Sequence, residues 1–172
     1  MSRKSKIFLS YVHNEIDPIK DRLISDLSRL DYVELWRSEE QLKFGESISE
    51  VITKAIYNSD YFIQILSNKK EENWTKGSWA RRELDLALAN EITQQNIKII
   101  TISTSHIPKV ELDYYLHGPI IRREIINFAT NYEYAFSALS QLIKVNESDS
   151  IIQFPLDIFK KFLYAGTKRD IP

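Results

Sequence analysis

The sequence predicts an α/β domain: a parallel five-stranded sheet with helices on both faces. Two observations carry the prediction. Strand and helix patterns alternate about five times along the chain, the arrangement that covers a parallel sheet on both sides. The strand segments are short apolar runs, as expected of buried strands. Length agrees, since 172 residues suffice for one domain with a sizeable core.

Lys6-Ile7-Phe8-Leu9-Ser10-Tyr11 reads as the first strand. Asp17-Pro18 then supplies an N-cap with proline at the first helical position, and Ile19, Leu23, Leu27 and Leu30 follow at helical spacing. Val33 to Trp36 is the second strand. The polar loop from Arg37 to Glu46 passes Gly45 and leads into Ser47-Ile48-Ser49-Glu50, a capping box. Ile48, Val51, Ile52, Ala55 and Ile56 form one face of the next helix. Tyr61 to Leu66 is the third strand, and a long polar loop separates it from a helix opening at Trp79 and running to about Asn90. Lys98 to Ile102 is the fourth strand. Weak helical content around Val110 to Leu116 leads through Gly118-Pro119 to a short fifth strand near Ile125 to Phe128. Tyr132, Ala135, Phe136, Leu139, Leu142 and Ile143 mark the last clear helix. Right-handed crossovers and short loops favour the flavodoxin-like strand order 2-1-3-4-5.

Residues 1–145 make up this domain. Asn146 to Ser150 is a polar linker, and Pro155 to Tyr164 places Leu156, Phe159, Phe162 and Leu163 on one helical face. Residues 146–172 are therefore expected as a linker and amphipathic helix, docking back on the domain or connecting to a partner or further domain.

Composition removes several functions. Twenty-three basic against 24 acidic residues leave a net charge of −1, so there is no electrostatic case for nucleic acid or an anionic membrane. The chain has no cysteine, which excludes disulfides, thiol catalysis and thiolate metal sites. Met1 to Lys6 lacks the apolar run of a signal peptide, and no stretch approaches the length of a membrane span; a cytoplasmic protein is expected. None of the four glycines stands in the turn directly after the first strand, so a dinucleotide fingerprint is missing, as are a phosphate loop and a nucleophile elbow. A phosphoacceptor aspartate ending the third strand is replaced by Ser67-Asn68. His13, His106 and His117 are isolated and make no metal site.

What remains is Trp79-Ala80-Arg81-Arg82-Glu83-Leu84, at the carboxyl end of the sheet, where ligands of such folds sit. Ala80, Leu84, Ala87 and Leu88 make an apolar stripe, and Glu83 lies about 40° from Ala87, flanking it. Trp79, one turn back, is placed to wall the carboxylate off from water. A shielded carboxylate there is a candidate catalytic acid. The plainer alternative is a rim glutamate paired with Arg82 or Lys76, with Trp79 in the core. His13 and the Arg37–Gly45 loop lie on the same rim.

Taken together these stretches resemble a Toll/interleukin-1 receptor (TIR) domain of the bacterial, NAD+-cleaving type. Phe8-Leu9-Ser10-Tyr11 looks like the family's opening strand, and Glu40-Gln41-Leu42-Lys43-Phe44-Gly45-Glu46-Ser47-Ile48 like its BB loop. Ser59-Asp60 with Ile63 to Ser67 looks like its third strand, and Trp79 to Leu84 like its Trp-x-x-x-Glu-Leu box. The resemblance covers roughly residues 6 to 144. It implies that Glu83 is the catalytic residue of an NAD+ glycohydrolase or cyclase, with NAD+ as substrate and no cofactor. It also implies that Trp79, Tyr11, His13, Trp36, Ser38 and Lys43 line the nucleotide cleft. Leu42, Phe44 and Gly45 of the BB loop would serve homotypic self-assembly with other TIR domains, extending into a filament and activated by a partner protein, domain or nucleotide signal in antiviral defence.

Three positions depart from the family pattern. Ser38 stands where many relatives carry aspartate, and Ala80 where many carry cysteine; His13 replaces the arginine of some active relatives. For Trp36 and Lys43, core packing and a solvated loop are equally open. The other function the resemblance allows is a non-catalytic adaptor that binds other TIR domains through the BB loop. A third is nucleotide binding without turnover.

Overall fold

The computed structural model describes residues 3–12, 16–37, 47–67, 79–94, 97–108 and 125–144. In chain order its elements are β1 (Ser5–Ser10), α1 (Pro18–Ser28), β2 (Val33–Trp36), α2 (Ile48–Tyr57), β3 (Tyr61–Leu66), α3 (Trp79–Gln94), β4 (Lys98–Ser103), β5 (Ile125–Asn127) and α4 (Tyr132–Lys144). The strands form one sheet in the order β2-β1-β3-β4-β5, every neighbouring pair parallel, as the alternation predicts.

Side-chain alternation along the strands divides the core into two layers. Ile7, Leu9, Ile63, Ile65 and Ile102 face one side and pack with Leu23 and Leu27 of α1 and Leu139 and Ile143 of α4. Phe8, Phe62, Leu66 and Ile99 face the other and pack with Ile52 and Ile56 of α2 and Ala80, Leu84 and Ala87 of α3. On that second face Trp36, Phe8 and Phe62 occupy one row of the register, their rings stacked at centroid spacings of 4.6 and 5.5 Å.

The start of α1 is fixed as the sequence predicts. Pro18 opens the helix, and the Asp17 carboxylate accepts from the backbone N–H of Ile19 at 3.0 Å and of Lys20 at 3.1 Å. Its other oxygen accepts from the Thr104 hydroxyl just beyond β4, so one buried side chain ties α1 to the carboxyl end of the sheet. Asp17→Ala removes the cap and one of that hydroxyl's two acceptors, leaving it the Leu66 carbonyl at 3.2 Å. A loss of about 2 kcal/mol in urea denaturation is expected, and an unchanged midpoint would contradict this account.

Two expectations are corrected. Ser47 sits at the N-cap of α2 in an extended conformation but makes no side-chain cap hydrogen bond. It is exposed, so water competes for its hydroxyl, and the capping box does not close. Helix α3 does not stop near Asn90; it runs on to Gln94 because nothing between Glu91 and Gln94 breaks a helix, there being neither glycine nor proline. The segments expected as weak helix at 110–116 and as linker and helix at 146–172 lie outside the described residues.

Candidate functional site

Glu83 stands in the first turns of α3, one residue before Leu84 of the apolar stripe. The stripe turns the helix onto the sheet, and the carboxylate is carried in with it: Glu83 is 2% exposed. Ser10, the last residue of β1, donates its hydroxyl to Glu83 Oε2 at 2.6 Å. This contact joins residues 73 positions apart and places the carboxylate against the carboxyl end of the central strands.

Electrostatics follow from that burial. Loss of water disfavours the charged form and pushes the Glu83 carboxyl up to about 7, against the opposing pull of the Ser10 hydroxyl. Among the described residues no cation relieves the penalty. Arg81 pairs with Asp85 at 3.4 Å, and the Arg82 guanidinium lies 5.5 Å from the Trp79 ring centroid. The rim glutamate paired with Arg82 is therefore not what forms; Lys76 lies outside the described residues. A buried carboxyl that titrates at about 7 with no described counter-cation is suited to acid–base or cation-stabilising chemistry.

Trp79 does not take the place expected for it. Its side chain is 42% exposed at the helix start, with Arg82 over the ring, so the sheet and not the indole seals Glu83 among the described residues. Tyr11 is buried, but it belongs to the core layer on the α1–α4 side, whereas Glu83 lies on the α2–α3 side. The ammonium of Lys20 sits 5.2 Å from its ring centroid, and both residues line a cavity of about 260 Å³ with Asp21, Ile24 and Arg37. Trp36 stacks on Phe8 and also lines a groove of about 330 Å³ with Lys6, Glu34 and Lys54. Neither cavity includes Glu83. His13, Ser38 and Lys43 lie outside the described residues, as do Leu42, Phe44 and Gly45.

Sequence reading missed the Ser10 contact and the polar row to which Ser10 belongs. Ser10, Gln64 and Thr101 are register partners on β1, β3 and β4, and they form a polar row directly above the Phe8–Phe62–Ile99 row on the same face. All three are buried, Gln64 completely. Both side-chain atoms of Gln64 and the hydroxyl of Thr101 make no hydrogen bond among the described residues. The available signal was parity: Phe8 and Ser10 share a face, as do Phe62 and Gln64.

The described residues hold no group of acidic, histidine or cysteine side chains that could bind a metal, and no described helix is long and apolar enough to cross a membrane.

Comparison with known proteins assigns the family. A family model described as TIR domain matches residues 7–143. The chain belongs to the TIR domain family. Over 110 residues it is 29% identical to the NAD(+) hydrolase TcpC of Escherichia coli O6:H1 (strain CFT073), a match covering 64% of this chain and 34% of that protein. The chain thus spans about a third of the curated relative it matches. Among solved structures, the TIR domain of the Toll-related receptor TRR-2 from Hydra magnipapillata aligns with a TM-score of 0.57 at 16% identity, covering 80% of this chain and 97% of that one. The TIR domains of the activated Roq1 resistosome align with a TM-score of 0.53 at 14% identity, covering 93% and 98%. These last two likenesses establish the shared fold.

Proposed function

We propose that this TIR domain is an NAD+ glycohydrolase that breaks the bond between nicotinamide and ribose. The observation that carries the reading is the buried Glu83 carboxylate, held by Ser10 at the carboxyl end of the sheet and free of any described counter-cation. Its place in a Trp-x-x-x-Glu box, and the likeness to a protein named as an NAD+ hydrolase, support the same reading.

The chemistry suits one carboxylate. Nicotinamide leaves NAD+ from a cationic state, so its departure needs no general acid. Positive charge then builds on the ribose as an oxocarbenium-like transition state, as in glycoside hydrolysis. An ionised Glu83 stabilises that charge and accepts hydrogen bonds from the ribose hydroxyls, most strongly where water is excluded. Exposed Trp79 offers an aromatic face at the same helix start. Water capture of the ribosyl cation gives linear ADP-ribose; capture by the adenine of the same molecule gives a cyclic one.

The family resemblance extends the proposal to assembly. The cleft is completed when the BB loop of a neighbouring TIR domain moves, so activity rises with ordered self-association triggered by a partner protein, domain or nucleotide signal, in antiviral defence. Nicotinamide release from NAD+, followed by chromatography over rising protein concentration, tests both parts. Release that grows more steeply than concentration supports an assembled enzyme. NAD+ left intact at every concentration, and in filaments, overturns catalysis and leaves an adaptor. Binding of NAD+ without release identifies a nucleotide sensor.

A further inference from the structure

We propose that Gln64 is a positioning residue for Glu83: its side-chain N–H donates to the Glu83 carboxylate when that group ionises, while the Thr101 hydroxyl donates to Gln64 Oε1 behind it. The inference rests on the catalytic reading only for its biological use; the contact itself is a property of the fold.

The geometry points to this role in three steps. Ser10 and Gln64 are direct register partners on neighbouring parallel strands, which lie about 4.8 Å apart, with side chains on the same face. Ser10 touches Glu83 at 2.6 Å, and Gln64 stands in the next position of the same row. Gln64 is 0% exposed, yet neither its carbonyl oxygen nor its amide nitrogen has a partner among the described residues. Buried amides are rarely left so, because each unmade hydrogen bond is costly. Thr101, the next residue in the row, has an unengaged hydroxyl as well. A sheet that only packed against α3 would gain more from valine or leucine at both places.

The two protonation states of Glu83 explain why the amide is retained. A neutral carboxyl accepts from Ser10 and carries no charge to desolvate. An ionised one in the same dry position needs further donors. Among the described residues no charged group supplies them: β1, β3 and β4 present Ser10, Gln64 and Thr101, α2 presents Ile52 and Ile56, and on α3 Arg81 and Arg82 are engaged with Asp85 and Trp79. The Gln64 amide is the donor set beside the site, with Thr101 orienting it.

NMR of the whole chain tests this without reference to catalysis. The Glu83 carboxyl carbon, assigned by its loss in Glu83→Gln, is titrated together with the Gln64 side-chain amide. The amide signals are expected to move with the same midpoint as the carboxyl, and to stop moving in Glu83→Gln. In Gln64→Met, close in volume, the carboxyl midpoint is expected to rise by about one pH unit or more, the loss of one bond to a charged acceptor, without loss of stability. A Gln64 amide indifferent to Glu83 ionisation in the wild-type chain overturns the proposal, even if Gln64→Met does not fold. A midpoint unchanged in folded Gln64→Met overturns it too. Because neither readout involves NAD+, a coupled titration in a chain that leaves NAD+ intact would sink the catalytic reading and leave this one standing.

Discussion

Glu83→Gln is expected to lower nicotinamide release from NAD+ by roughly 10³-fold while leaving the fold intact. Glutamine keeps the volume and can still accept from Ser10, so the sheet–helix contact persists. What it removes is the negative charge opposite the ribosyl cation. In a dry site that charge counts far more than it would in water, since Glu83 is 2% exposed. The wild-type profile carries a second signature. Only the ionised carboxylate stabilises the cation, and the group in the free protein titrates near 7. kcat/KM is therefore expected to climb with pH through about 7 and level off above it. Release in Glu83→Gln within tenfold of wild type, measured on the same assembled state, would remove Glu83 from the reaction. A profile flat from pH 5 to 8 would mean that its ionisation is not what the rate senses.

The contrast between what the sequence disclosed and what it hid has a physical basis. Phe8, Phe62 and Ile99 advertise buried strands because burial on both faces demands apolar residues, and Asp17-Pro18 announces a helix because few residues fit those positions. Order and parallel pairing then follow from right-handed crossovers and short loops. Glu83 was legible as a candidate because helical spacing placed it beside an apolar stripe. Its partner was not. Ser10 and Glu83 are brought together only by the crossing of α3 over β1, and no local pattern encodes that angle. Trp79 misled for the opposite reason. A large aromatic beside a carboxylate suggests a shield, yet it sits at the first residue of the helix and is 42% exposed. Gln64 hid in an apolar run, where one polar residue reads as tolerated noise. Register with Ser10 and Thr101 gives it meaning.

The charge that catalysis needs is one the fold resists, and this yields an expected stability change of about 3 kcal/mol. In the unfolded chain Glu83 titrates at its ordinary value of 4.5; in the folded chain it does so near 7. Between these values the native state holds the extra proton, so stability falls as pH rises through this window. Below 4.5 the carboxyl is neutral in both states, and above about 7 it is ionised in both, so the contribution is flat on either side. Glu83→Gln abolishes the term. The difference in unfolding free energy, mutant minus wild type, is therefore expected to grow in the mutant's favour between pH 4.5 and 7.5, whatever its sign at the acid end. Urea denaturation of both proteins across that range measures it, and taking the difference cancels every other titrating group. A difference independent of pH would mean that the folded chain does not resist the charge on Glu83, and this prediction would fail. Growth of the expected size would show a site kept at the expense of stability, the pattern of a fold under selection for what a carboxylate does and not for how well it packs.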